Sequence, residues 1–97
     1  MFVMNTYSNP FYQEIVKDSS TDNDRTAQLI VYNDDINTFD YVEECLMRIC
    51  HHTYEQAQQC AHLIHWRGSY CVKQGEYPTM KNMAEKLRRC GLRASVR

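Results

Sequence analysis

From residue 26 onward the apolar positions fall into short runs and helical stripes. Leu29, Ile30, Val31 and Tyr32 are a run of strand formers that Asn33, Asp34 and Asp35 stop, which predicts a strand and then a turn. Phe39, Val42, Leu46 and Ile49 recur at helical spacing, with Cys45 and Cys50 beside them. The spacing predicts a first helix over 38–51, with Asn37 as N-cap and Asp40 in the first turn, where negative charge is favoured. Thr53 and Gln56 make a capping box for a second helix over 54–67, striped by Ala57, Cys60, Ala61 and Ile64 and closed by Gly68. Residues 69–73 read as a strand and Gln74-Gly75 as a turn. Pro78 suits the first turn of a third helix, whose inner face is Met80, Met83, Ala84 and Leu87 and which Gly91 ends. Leu92, Ala94 and Val96 alternate with Arg93, Ser95 and Arg97, the pattern of a half-buried last strand. The order β-α-α-β-α-β predicts an α+β class: a compact two-layer domain with a three-stranded antiparallel sheet packed against three helices. Residues 1–25 show no sustained period and end in the polar run SSTDNDR, so we expect a flexible extension before a domain over 26–97.

At 97 residues there is room for one domain with a modest core, which excludes motor ATPases and multi-domain enzymes. No apolar run approaches the ~20 residues of a membrane span, and the N-terminus lacks the basic start and apolar stretch of a secretory signal. Net charge is −1, but unevenly spread: residues 1–60 carry ten acidic and three basic side chains, residues 81–97 six basic and one acidic. The balance disfavours a nucleic-acid binder. The basic tail helix reads as a solvated face or as a contact for an acidic partner. Five cysteines, an odd number without a CxxC pair, argue for reduced thiols and a cytoplasmic location.

No glycine-rich phosphate loop and no nucleophile elbow occurs, so nucleotide hydrolysis and serine-hydrolase chemistry are not expected. Asn33, Asp34 and Asp35 form a dense acceptor cluster at a strand-to-helix junction, which reads either as a turn and cap or as a site. His62 and His65, three apart on a helix with Cys60 close by, allow a zinc site; Cys60 or Cys71 with His65 allows a thiol dyad. His51-His52 reads as a helix cap.

Read together, LIVYNDDINTFDYV, CLMRI and EQAQQCAHLIHWRGSY resemble ClpS, the family of adaptors that deliver N-end-rule substrates to Clp ATPase–protease complexes. The resemblance rests on the triplet Asn33-Asp34-Asp35, the cap at Asn37, and the helix from Ala57 through His65 to Gly68. It implies the same fold order, no enzymatic activity and no cofactor. It also implies binding of proteins with a bulky hydrophobic N-terminal residue (N-degrons). The other partner implied is the N-terminal domain of a ClpA- or ClpC-like AAA+ ATPase.

By the same resemblance Asn33, Asp34 and His65 receive the N-terminal ammonium, and Asp35 adds nearby negative charge. The side-chain pocket is implied at Phe39, Val42, Ala61, Ile64 and Leu92, with Ile36 and Asn37 on its rim. Glu76 and Lys81 are implied at the ATPase contact. This chain has Phe39 and Ala61 where better-known members have methionines, and Asn37-Thr38 where they have threonine then proline. Two further readings stand beside this one: a small zinc or thiol protein, and a general protein-interaction domain of the same fold.

Overall fold

A computed structural model describes residues 25–97. Six elements follow in order: β1 (Thr26–Tyr32), α1 (Phe39–Cys50), α2 (Tyr54–Arg67), β2 (Ser69–Glu76), α3 (Tyr77–Arg89) and β3 (Arg93–Val96). β1 is the central strand of an antiparallel sheet ordered β2-β1-β3, so the last strand returns to pair with the first. The expected extension over 1–25 lies, but for Arg25, outside the described residues.

Strand alternation decides which side of the sheet is buried. Ala27, Leu29 and Val31 of β1 enter the core with Cys45, Leu46 and Cys50 of α1, Ile64 of α2, Met80 and Leu87 of α3, and Leu92 beside β3. Each fully buried leucine among these contributes about 1.5–3 kcal/mol.

Four local readings are corrected. The N-cap of α1 is Thr38, whose Oγ1 accepts from the Tyr41 N–H at 3.1 Å, and not Asn37. Asn37 is occupied elsewhere: its side-chain amide donates to Asp34 Oδ2 and to the Gly91 carbonyl. Gln74 and Gly75 form no turn, because β1 keeps pairing through Ala27↔Gly75 to Thr26↔Glu76. A β-carbon at Gly75 would lie 3.1 Å from Met80 Cε, so the glycine admits the first turn of α3 against the sheet.

Of the two histidines, only His51 is the cap of α1, in the left-handed region at φ 63°. His52 reaches across and its Nε2 bonds the Val72 carbonyl of β2 at 2.8 Å. The α1 stripe also divides. Cys45, Leu46 and Cys50 face the core, while Phe39 and Val42 turn toward a cavity. Glu43, 6% exposed, is the buried charged side chain among the described residues.

The second helix follows its sequence signals closely. Thr53 and Gln56 make the reciprocal capping box, and Gly68 ends the helix in the left-handed region at φ 88°.

Candidate functional site

A cavity of about 250 Å³ opens where the end of β1, the start of α1, the last turns of α2 and the start of β3 converge. Asn33, Asp34, Asp35, Asn37, Phe39, Val42, Ala61, Ile64, His65 and Leu92, all singled out from the sequence, line it. Ile36 does not. It is 88% exposed, and only its backbone N–H takes part, donating to Asp34 Oδ1. Glu76 and Lys81 lie away from the cavity, at the N-cap of α3 and on its exposed surface. Sequence reading missed Val31, Tyr32 and Thr38, which also line it. Strand alternation carries the signal for Val31, since it shares a face with Leu29; Thr38 is drawn in only because it caps α1.

The polar wall is built by the chain itself. Asp34 Oδ1 accepts the backbone N–H groups of Ile36 and Asn37, each at 2.8 Å, and Oδ2 accepts the Asn37 side-chain amide at 2.9 Å. Burial works to raise the Asp34 carboxyl. The hydrogen bonds from Asn37 and Ile36, with the positive charge of Arg93, outweigh it and hold the carboxyl below its ordinary range. The carboxylate therefore stays ionised at neutral pH. Three of its roughly four lone-pair directions are spent on the loop, which leaves one and the net charge.

Asn33 is fixed by its backbone, whose N–H donates to the Gly68 carbonyl at 2.8 Å. This bond ties the exit of β1 to the end of α2, where His65 sits three residues earlier. Phe39 lies edge-on to both histidines of α2, with ring centroids 5.1 Å from His62 and 5.2 Å from His65. It thereby links the start of α1 to the last turns of α2 and forms one side of the cavity mouth.

The apolar wall is Val31, Val42, Ala61, Ile64 and Leu92. Ala61 contributes the smallest side chain of that wall. A cavity that pairs a cluster of acceptors with an apolar interior suits a ligand with a cationic head and one hydrophobic side chain. Its volume is below the roughly 300–1,000 Å³ of pockets for drug-sized ligands.

Among the described residues no group of three or more His, Cys, Asp or Glu side chains is placed to hold a metal ion. Cys60 is buried in the core, and burial pushes its thiol up to about 12. Burial also raises Cys71. Both thiols are thus held in the protonated, weakly nucleophilic form at neutral pH. All five cysteines are free. Among the described residues no helix is long and apolar enough to cross a membrane.

Comparison with known proteins bears on the same region. The family model of the ATP-dependent Clp protease adaptor protein ClpS matches residues 22–95. The curated ATP-dependent Clp protease adapter protein ClpS of Thermosynechococcus vestitus is 36% identical over 66 residues, covering 67% of this chain and 70% of that protein. Among solved structures, Agrobacterium tumefaciens ClpS2 bound to L-phenylalaninamide superposes with a TM-score of 0.72. That match is 16% identical and covers 75% of this chain and 95% of the other, so it speaks for the fold.

Proposed function

The chain belongs to the ClpS family of Clp protease adaptors, and from that premise we propose that it captures proteins by a bulky hydrophobic N-terminal residue and hands them to a Clp AAA+ ATPase. One observation carries the reading: Asn33, Asp34 and His65 line the same small cavity as the apolar Val42, Ala61, Ile64 and Leu92. A free N-terminal residue has the matching halves, an ammonium with three donors and a side chain to bury.

In this reading the Asn33 carboxamide oxygen, the remaining Asp34 lone pair and a His65 ring nitrogen receive the ammonium, and Asp35 adds attraction at longer range. The first side chain enters between Val42, Ala61, Ile64 and Leu92, with Phe39 at the mouth. ATP hydrolysis and peptide cleavage belong to the partner complex, and Glu76 and Lys81 offer exposed charges for that contact.

The magnitudes fit a handover protein. Each hydrogen bond to a charged group contributes about 1.5–3 kcal/mol. Burying one Phe or Leu side chain adds about 1.5–3 kcal/mol. Association costs at least roughly 4 kcal/mol, which leaves affinity between the millimolar and, at the favourable end, the micromolar range. Acetylating the amine leaves acceptors unpaired, and a charged first side chain must be desolvated, so both are rejected.

The test is fluorescence anisotropy with three peptides that differ only at the start: free Phe, acetylated Phe and free Lys. Binding of the first alone is expected. Equal binding of all three, or of none, overturns the reading.

A further inference from the structure

A second, open cleft adjoins the cavity, lined by Tyr32, Arg88, Gly91, Leu92, Arg93 and Ala94. Tyr32 and Leu92 line both depressions, so the two share a wall. We propose that this cleft is an acidic-residue subsite: Arg88 and Arg93 receive Asp or Glu side chains of the substrate segment that follows the captured N-terminal residue. The inference rests on the N-terminal capture reading and adds a preference along the substrate chain.

Both guanidinium groups are held in place. Arg88 Nη1 donates to the Ala94 carbonyl at 2.6 Å, and Arg93 lies 5.8 Å from the centroid of the Tyr32 ring. Tyr32 is itself fixed by a 2.7 Å hydrogen bond between its hydroxyl and Ser95 Oγ. An arginine carries five N–H donors in a planar fork, and Arg88 spends one of them on Ala94. Both arginines are exposed, and no described carboxylate forms an ion pair with either.

The turn that presents them is set by backbone. Gly91 adopts φ 94°, its N–H donates to the Arg88 carbonyl at 3.0 Å, and the Leu92 N–H donates to the Leu87 carbonyl at 3.1 Å. Leu92 is thereby turned into the first cavity while Arg93 stands beside it on the outside. The surrounding charge has the same sign. Lys86, Arg89 and Arg97 are exposed nearby in sequence, against Glu85 alone.

The position along the substrate follows from the charges at the mouth. Asp34 and Asp35 flank the ammonium site and repel an acidic second residue. Arg93 is near enough to Asp34 to lower its carboxyl, so the sign of the field changes within a few residues of the captured terminus. An extended chain advances about 3.3 Å per residue, so a cleft that shares a wall with the capture cavity is met within the next few residues, and the third to fifth are the ones to vary.

The experiment uses the full chain and peptides that begin Phe-Ala and carry, at positions three to five, Asp-Glu-Asp, Asn-Gln-Asn or Lys-Lys-Lys. At low salt the acidic peptide is expected to bind about three- to tenfold tighter than the neutral one, a gap that added salt closes. Arg93→Gln is expected to narrow, and together with Arg88→Gln to abolish, the acidic-to-neutral affinity ratio measured within each variant, a ratio in which any effect of Arg93 on Asp34 and on capture itself cancels. The single variant guards against a folding defect from loss of the Arg88–Ala94 bond, which a thermal melt detects. Equal or weaker binding of the acidic peptide overturns the subsite while the capture reading stands. Failure of the neutral free-amine peptide to bind, or its binding equally well when acetylated, overturns the capture reading and the subsite with it.

Discussion

The backbone N–H of Asn33 donates to the carbonyl of Gly68, joining the exit of β1 to the end of α2 at 2.8 Å. Gly68 sits at φ 88° with nothing within 4 Å of a β-carbon built on it. Gly68→Ala therefore meets no clash and carries only the cost of the left-handed backbone, about 1–2 kcal/mol. Urea unfolding is expected to show that loss, and anisotropy a weaker affinity for the free-Phe peptide, because Asn33 and His65 are no longer held in register. Unchanged stability would count against this clamp.

The Asp34 carboxylate organises the loop it belongs to. Its carboxyl is held low in the folded state, so its stabilisation is present above the ordinary value of 3.8 and is lost as pH falls through the folded value. Asp34→Ala is expected to flatten the acid limb of the stability curve and to weaken capture of free-Phe peptides at least tenfold, roughly one lost charged hydrogen bond. Thermal melts from about pH 5 down to about pH 2.5, with binding at neutral pH, check both.

His52 titrates in the opposite chemical sense but with the same slope. Burial lowers its pKa, with Lys73 and His51 adding to the effect and the Val72 bond opposing it. A carbonyl takes its Nε2–H, and its buried Nδ1 has no partner among the described residues, so a second proton finds no acceptor. The unfolded chain binds that proton more readily. Stability is thus full above the ordinary value of 6.5 and is lost as pH falls through the folded value. His52→Gln, which keeps a donor toward Val72, is expected to reduce the drop in melting temperature on acidification. A slope identical to that of the unsubstituted chain would refute the assignment.

Capture should also depend on the His65 ring nitrogen. His65→Phe keeps a ring and removes the acceptor, so anisotropy is expected to show affinity for the free-Phe peptide falling at least tenfold, roughly one lost charged hydrogen bond. Unchanged affinity removes His65 from the acceptor set.

Ala61 governs how much side chain the cavity admits. Ala61→Leu adds bulk to that wall and is expected to weaken binding of peptides that begin with Trp or Phe by about tenfold or more, one buried side chain's worth of lost fit. The folded state should survive, as circular dichroism would report. Retained affinity for Trp would mean that the first side chain lies elsewhere.

Much of this was legible in the chain itself because the signals are local. The capping box at Thr53 and Gln56, the left-handed Gly68 and the alternation of Ala27, Leu29 and Val31 depend on neighbours within a turn or a strand. Ten of the residues that line the cavity are also legible through the resemblance carried by the Asn33-Asp34-Asp35 run and the spacing from Ala57 to His65, while Val31, Tyr32 and Thr38 are not, and Ile36 stays outside it. Tertiary structure decided what distant partners decide. Asn37 looks like a helix cap until Gly91, 54 residues away, takes up its amide and leaves the cap to Thr38. Gly75 looks like a turn until the ladder with Ala27 and the packing of Met80 draw it into β2. The placement of Arg93 beside the cavity follows from β3 pairing with β1, a long-range choice that no local spacing in the last helix and strand contains.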